Sequence, residues 1–248
     1  MKVIYILCLR QIKRYLRARA RMIGSLGQPL LFLLAMGFGF GPIFQKAGGG
    51  NYIQFLAPGI VIMGILFTAV FSGIEVIWDR QFGFLKETLV APVSRLHIAL
   101  GRTLGGAVVA FIQGLVVLGI CLLVGFRIEA IAWLPIALLV MFISAVLFAA
   151  IGTAIGSVLE DMQAFPLIMN FLVMPLFFLS GALFPMKGLP RPLILAMEWN
   201  PVTYAVNGLR GAFAHSPLTG VGGDLVVLLV VTGALVSLSA YLFSRIEL

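Results

Sequence analysis

Long apolar stretches, separated by short polar segments, dominate the pattern of this chain. Six runs without a charged side chain are each long enough to cross a bilayer, since a spanning helix needs about 20 apolar residues. The pattern predicts an all-α polytopic membrane protein, in which residues 1–248 form one transmembrane domain. We place its six transmembrane helices near residues 23–43, 55–77, 103–125, 131–157, 166–184 and 224–243.

A seventh apolar stretch, residues 193–213, does not fit a full crossing. It contains Glu198, the turn-forming pair Asn200-Pro201 and Arg210. Charged centres and a proline are tolerated at membrane depth only where other protein surrounds them. We therefore predict outer re-entrant helices between spans five and six, within an outer loop over residues 185–223. An ordinary outer loop is the alternative, although the segment is unusually apolar.

The first 22 residues have a helical period of their own. Tyr5, Leu9, Ile12 and Leu16 share one stripe, and basic residues occupy the other faces. This pattern predicts an amphipathic interface helix over residues 1–22, lying on anionic headgroups. A plain topology signal would explain the charges but not the period. A cleaved signal peptide fits poorly, because the basic region is long and no small-x-small site follows the apolar run.

Composition excludes a soluble domain. Hydrophobic residues make up 61% of the chain, charged residues 10%, and the mean hydropathy is +1.12. The net charge of +8 could suggest a nucleic-acid partner. The basic residues lie between apolar runs rather than in one patch, which indicates contact with membrane lipid and no nucleic-acid partner.

The basic residues also predict the orientation. Short cytoplasmic loops are enriched in Lys and Arg. Twelve of the 17 fall on one side of the predicted spans: Lys2, Arg10, Lys13, Arg14, Arg17, Arg19, Arg21, Arg80, Lys86, Arg95, Arg102 and Arg245. We therefore expect a multi-pass protein of the bacterial or archaeal plasma membrane, with both termini in the cytoplasm.

Residues 78–102, after span two, form the longest predicted cytoplasmic loop. Its charges are mixed in sign, Pro92 interrupts it, and Leu85, Leu89 and Val93 recur every four residues. A short helix with one apolar stripe is typical of a docking element for a soluble partner. A solvated connector is the alternative that this pattern leaves open.

Polar residues within the predicted spans are few. Glu75 lies near the cytoplasmic end of span two, where snorkelling or pairing with Arg80 explains it better than the alternative, a functional acid within the membrane. Gln113 and Asn170 lie deeper, and we expect each to form an interhelical hydrogen bond. Gly152 and Gly156 have the spacing that allows close helix approach.

The chain has no sequence motif for energy coupling. It lacks a Walker phosphate-binding loop and a zinc-binding His-Glu-x-x-His helix, and its spans lack a central carboxylate pair. We expect no catalytic site and no cofactor on this chain, so energy would come from a partner. A self-sufficient channel, a secondary transporter and a membrane-embedded enzyme are the alternatives.

Four stretches together resemble a known family. They are Phe55–Ile60 (FLAPGI), Trp78–Arg95 in the cytoplasmic loop, Phe177–Pro185 (FFLSGALFP) and Trp199–Tyr204 (WNPVTY). With the six-span layout, the chain resembles the permease subunits of type 2 ATP-binding-cassette exporters, including the daunorubicin-resistance and nodulation-factor export permeases. It departs from the larger eukaryotic relatives in having no fused soluble domain.

The resemblance implies a pair of permeases, as a homodimer, above two ATPase subunits that bind ATP and Mg. It implies export of an amphiphilic drug, lipid or glycan by alternating access, with spans two and five along the route. It also implies site residues. Those for ATPase coupling are Arg80, Leu85, Glu87, Pro92 and Arg95; those along the translocation path are Phe71, Asn170, Pro175 and Phe178; and those of an outer gate are Trp199, Asn200, Pro201 and Tyr204.

Overall fold

The computed structural model describes residues 2–47, 50–84, 93–186, 188–214 and 220–246, and these form ten α-helices with no strand among them. The all-α prediction is confirmed. In chain order the helices are α1 (Lys2–Arg17), α2 (Arg19–Lys46), α3 (Tyr52–Phe71), α4 (Ile74–Gln81), α5 (Arg95–Val124), α6 (Leu134–Val158), α7 (Ala164–Phe178), α8 (Arg191–Glu198), α9 (Pro201–Phe213) and α10 (Val221–Ser244).

Five segments of the described chain are long and apolar enough to cross a membrane. They are Met22–Lys46, Tyr52–Gln81, Arg95–Val124, Ile131–Val158 and Val221–Ser244. A multi-pass membrane protein is therefore confirmed. The third of these segments begins at Arg95 rather than near 103, because Ser94 caps α5 by accepting a hydrogen bond from the His97 amide.

The helix at the fifth predicted span, α7, has only 15 residues and stops at Phe178 rather than near 184. The backbone turns there, since Gly181 has a φ of +70°, a conformation that glycine adopts at little cost. The Ser180 hydroxyl donates to the Phe177 carbonyl at 2.6 Å, which satisfies one of the free acceptors at the helix end.

Helix α3 is the centre of the bundle. It packs against α2, α5, α6 and α9, and its residues from Leu56 to Leu66 are buried. The chain turns at Ser72-Gly73 before α4 begins. A Cβ atom on Gly73, Gly152 or Gly156 would collide with the backbone of the facing helix, so the close approach expected of Gly152 and Gly156 is present.

The bundle has two ends, which differ in chemistry. One end, here the α4 end, gathers α1, α4, the start of α5 and the end of α10 through ion pairs and hydrogen bonds. The other, the α9 end, gathers the start of α3, the turn after α7, and α9. The α4 end carries the residues that the charge pattern predicts to be cytoplasmic.

Candidate coupling and translocation site

The α4 end is built around Asp79. Its Oδ2 accepts a hydrogen bond from Arg102 Nη2 at 2.6 Å and lies 3.4 Å from Arg10 Nη2. The Asp79 and Arg102 side chains are only 7% and 5% exposed, so this ion pair is buried. A buried carboxylate needs such partners, because removal from water penalises an uncompensated charge. Asp79 therefore fixes α4 to both α1 and α5.

Two further ion pairs reach α4. Glu75 Oε2 lies 3.8 Å from Arg14 Nη1 on α1, whereas Arg80 Nη2 donates to Glu160 Oε1 at 2.8 Å. The described ion pairs thus join Glu75 to Arg14, a residue that the sequence analysis did not propose as its partner. Because Glu160 lies in the connection between α6 and α7, the described ion pairs link α4 to α1, to α5 and to that connection.

Helix α1 lies directly on α5. Small residues on α5 make the contact possible: a Cβ on Gly101 would be 2.8 Å from Leu7 Cδ1, and one on Gly105 would be 2.9 Å from Gln11 Oε1. The buried Tyr15 hydroxyl donates to Gln113 Oε1, which confirms an interhelical hydrogen bond for Gln113. This contact makes α1 part of the bundle rather than a helix held by lipid alone.

Cys8 lies in the same contact between α1 and α5. Its Sγ is 3.5 Å from the Gly101 carbonyl oxygen, to which the thiol donates. Burial raises the pKa of the Cys8 thiol, because the thiolate would lose hydration at this site.

Of the five predicted coupling residues, three lie outside the described residues: Leu85, Glu87 and Pro92. Arg80 contacts Glu160, as above. Arg95 Nη1 donates to the carbonyls of Ser244 at 2.8 Å and Ile246 at 3.0 Å, so it ties the start of α5 to the end of α10. Arg80, before the undescribed segment 85–92, and Arg95, after it, are therefore each bonded to another part of the bundle.

The four predicted path residues lie on α3 and α7. The Phe71 ring meets that of Phe165 edge-on, with centroids 6.2 Å apart, and Phe178 meets Phe32 of α2 at 6.3 Å. Asn170 and Pro175 are exposed on α7. Asn170 has no hydrogen bond to another described residue, so its expected interhelical bond is not formed among the described residues.

At the α9 end, the predicted gate residues differ in burial. Asn200 is buried and caps α9 by accepting from the Val202 amide, while its Nδ2 donates to the carbonyls of Leu176 and Leu179 at the end of α7. Tyr204 donates to the Glu198 carbonyl at 2.7 Å. Pro201 opens α9, and Trp199 is 87% exposed.

Arg210 has a larger role at this end than the sequence analysis gave it. Its guanidinium lies 4.0 Å from the Phe55 ring centroid and donates to the carbonyls of Phe55 and Gly181. The sequence analysis used Arg210 only as an argument against a crossing. An arginine inside an apolar stretch is itself a sign that carbonyls or aromatic faces surround it.

Among the described residues, no three His, Cys, Asp or Glu side chains are grouped so that they could hold a metal ion.

Comparison with known proteins decides the family. The model of the ABC-2 type transporter family matches residues 2–214, which include the Asp79 cluster, α7 and α9.

The chain belongs to the ABC-2 type transporter family.

Named relatives of this ABC-2 chain include two transport permeases and a nodulation protein. It is 28% identical over 220 residues to the transport permease ycf38 of Cyanophora paradoxa, covering 86% of this chain and 74% of that protein. It is 27% identical over 208 residues to Nodulation protein J of Rhizobium leguminosarum bv. trifolii, covering 82% and 78%. It is 27% identical over 227 residues to the inner membrane transport permease YadH of Escherichia coli strain K12, covering 89% and 88%.

Membership of the ABC-2 family, together with the apolar helices, makes this chain a transmembrane permease subunit of an ABC transporter. The family also implies association with an ABC ATPase subunit. The predicted resemblance to type 2 permeases is therefore confirmed.

Proposed function

We propose that this chain is the transmembrane subunit of an ATP-driven exporter that moves an amphiphilic drug, lipid or glycan out of the cytoplasm. Two copies of a separate ATPase would bind ATP and Mg and dock at the α4 end. The observation that carries the proposal is the ion-pair network around α4, which joins the helix before segment 85–92 to α1, to α5 and to the connection between α6 and α7. A push on that segment would reach several helices at once.

The proposed orientation places the α4 end in the cytoplasm. Arg10, Arg14, Arg80, Arg95 and Arg102 all contact groups at this end. Enrichment in arginine is the property of cytoplasmic segments. Both termini would then lie on the same side as the ATPase.

We also propose that α7 is the sixth crossing. Its 15 residues extend about 22 Å, less than the hydrocarbon thickness of about 30 Å. Its two flanks nevertheless contact opposite ends of the bundle, since Glu160 bonds Arg80 while the Leu179 carbonyl accepts from Asn200. The turn after Phe178 would complete the crossing. Helices α8 and α9 would then be the outer re-entrant pair.

A second copy of the permease would cover α7, making a homodimer. Within the described chain α7 packs mainly against α3, and Leu167 and Phe171 are 71% and 88% exposed. Asn170 and Pro175 are exposed on the same helix. Two α7 helices facing one another would place Asn170, otherwise unbonded among the described residues, at the shared axis, where a translocation path with Phe71 and Phe178 nearby would run.

The way the two ends are held supports alternating access. Asn200 and Arg210 tie the α9 end together through hydrogen bonds to backbone carbonyls, whereas ion pairs hold the α4 end. Closure of the ATPases would move α4 and its partners, and opening of the α9 end would require release of the Asn200 and Arg210 contacts. Trp199, Pro201 and Tyr204 would move with α9.

Reconstitution tests the proposal against a self-sufficient channel or secondary transporter. Proteoliposomes carrying the full chain with its co-purifying ATPase should move a fluorescent amphiphile against its gradient only when ATP is added on the ATPase side. Omission of ATP, and a variant ATPase that binds but does not hydrolyse ATP, are the controls. Uphill transport by the permease alone, driven by an ion gradient, would refute it.

A further inference from the structure

A cavity of ≈ 380 Å³ lies among α1, α2, the turn between α3 and α4, and α5. No residue of α7 or α9 is among the described residues that line it, whereas Phe71, one of the predicted path residues, is. Its size lies in the range of sites for small organic ligands, about 300–1,000 Å³. A cavity of this size between packed helices can hold a molecule, and its walls indicate which class.

The walls combine aromatic faces with one carboxylate. Tyr15, Phe71 and Trp78 contribute rings, and Glu75 is the one charged residue among the described residues that line the cavity. The remaining polar lining is neutral, with Gln28 as an example. Aromatic rings beside a carboxylate attract organic cations, because the negative faces of the rings and the acid act together.

A cation already lies beside these groups. Arg14 Nη1 is 3.8 Å from Glu75 Oε2, and the guanidinium carbon is 5.6 Å from the Trp78 ring centroid. An ammonium ligand would therefore compete with Arg14 for Glu75. The Arg14 side chain is 40% exposed and can turn towards solvent.

The cavity lies at the level where an amphiphile would reside. Gly24 and Gln28, which line it, are in the first turns of the candidate span that begins at Met22, and Trp78 is near the end of the span that closes at Gln81. With the proposed orientation this is the inner boundary between headgroups and acyl chains, where a polar head and an apolar tail separate.

We propose that this cavity binds the ammonium head of a singly charged cationic amphiphile, which reaches it from the inner leaflet. The inference deepens the proposed function and rests on it for the direction of transport, since it names the class of cargo and where that cargo first binds. Glu75 and Trp78 would contact the ammonium group, and Phe71 would contact the apolar body.

Binding can be measured without ATPase or ATP, on the full chain in nanodiscs of phosphatidylcholine and phosphatidylglycerol. The probe is a dansyl-labelled alkylamine, and its matched control is the dansyl-labelled alcohol of the same chain length. We expect the amine to bind at least about tenfold more tightly than the alcohol. Equal binding of the two probes, or no saturable binding of the amine, would overturn the inference.

Filling the cavity gives a second test. A Cβ on Gly24 meets no atom within 4 Å, so Gly24→Leu adds a side chain at the lining without a collision there. Gly27→Leu is the matched control, because Gly27 lies on the same helix with the same open space but does not line the cavity. We expect G24L to abolish saturable amine binding and G27L to preserve it. Equal effects of the two would place the probe elsewhere.

Charge changes give a third test, with effects of opposite sign. Glu75→Gln should weaken amine binding about tenfold and leave alcohol binding unchanged. Arg14→Gln should strengthen amine binding, because it removes the competing cation; a merely structural role of the pair would weaken it. Glu129→Gln is the control, an exposed acid outside the cavity and outside the ion pairs of α4. Unchanged amine affinity in E75Q would refute the inference.

Nanodiscs that contain phosphatidylethanolamine identify the source of the ammonium group. Competition with the amine probe would show that the site accepts a zwitterionic lipid headgroup and would overturn the assignment to a singly charged cation, whereas the absence of competition is the expected result. Failure of probe binding would not affect the exporter proposal, which depends on ATP-driven transport in proteoliposomes.

Discussion

Asp79 and Arg102 form a buried ion pair, with 2.6 Å between Oδ2 and Nη2, at the point where α4 meets α5. The pair connects the helix that precedes segment 85–92 to the helix that follows it. Force applied to that segment is therefore shared by spans two and three from the outset. Arg10 adds α1 to the same carboxylate at 3.4 Å.

Loss of one partner of this pair should destabilise the fold. Arg102→Leu leaves Asp79 buried with only the more distant Arg10, and removal of one member of a buried pair costs about 3–5 kcal/mol. The midpoint of thermal unfolding in detergent should fall clearly. Arg245→Leu is the control, since Arg245 is exposed and bonds only Tyr241 Oη among the described residues, a contact worth less than about 1 kcal/mol. A similar unfolding midpoint for R102L and wild type would contradict the assignment of Asp79 and Arg102 as a buried ion pair.

Asn200 should hold the α9 end through its amide group. Asn200→Ala removes the cap of α9, worth about 1 kcal/mol, and the two donations to the end of α7. Hydrogen exchange should then accelerate both at the start of α9 and near residues 176–181. Asn200→Asp keeps a cap acceptor but donates no hydrogen, so only the second region should accelerate. Unchanged exchange near 176–181 in both variants would show that these contacts do not hold the end closed.

Cys8 should react slowly with thiol reagents. Burial raises its pKa, and because the thiolate is the reactive form, less of it is present at neutral pH. Alkylation at pH 7 should be at least about tenfold slower than that of an exposed thiol, and should accelerate as the pH rises above the usual range. Leu16→Cys in a Cys8→Ala background is the reference, since Leu16 is exposed on the same helix. Equal rates for the two thiols would show that α1 leaves α5 readily.

Labelling from each side tests the proposed orientation. Phe82 is 68% exposed at the α4 end and Trp199 is 87% exposed at the other. In a background with Cys8→Ala and Cys121→Ala, an impermeant maleimide should label Trp199→Cys on intact cells and Phe82→Cys on inside-out vesicles. The reverse pattern would place the proposed ATPase site outside the cell.

The apolar runs predicted much of this fold, because a helix that crosses a bilayer must be long and uncharged. The end of α7 was not predicted, since the apolar run continues past Phe178 and only the turn at Gly181 stops the helix. The face of α1 was also missed. Tyr5 and Leu16 of the predicted stripe stay exposed, while Leu7, Gln11 and Tyr15 contact α5, two of them through polar groups that a hydrophobic pattern does not register.

The partners of the charged residues could not be predicted for a similar reason. Glu75, Asp79 and Arg80 lie within two helical turns of each other along the sequence. Their ion-pair partners come from three other segments: Arg14, Arg102 and Glu160. Tertiary packing determines which charged side chains form ion pairs with one another. The distribution of Lys and Arg along the sequence predicted which end of the bundle is charged. The ion pairs at that end are known only from the structure.

The coupling ratio, the number of amphiphile molecules moved per ATP hydrolysed, tests most directly whether energy enters through segment 85–92. It is measured in proteoliposomes that contain the full chain and its co-purifying ATPase, for Glu87→Gln and for Glu129→Gln, an exposed acid near the α9 end, as the control. We predict that E87Q hydrolyses ATP while its ratio falls at least about tenfold, and that E129Q matches wild type. An unchanged ratio in E87Q would contradict the account.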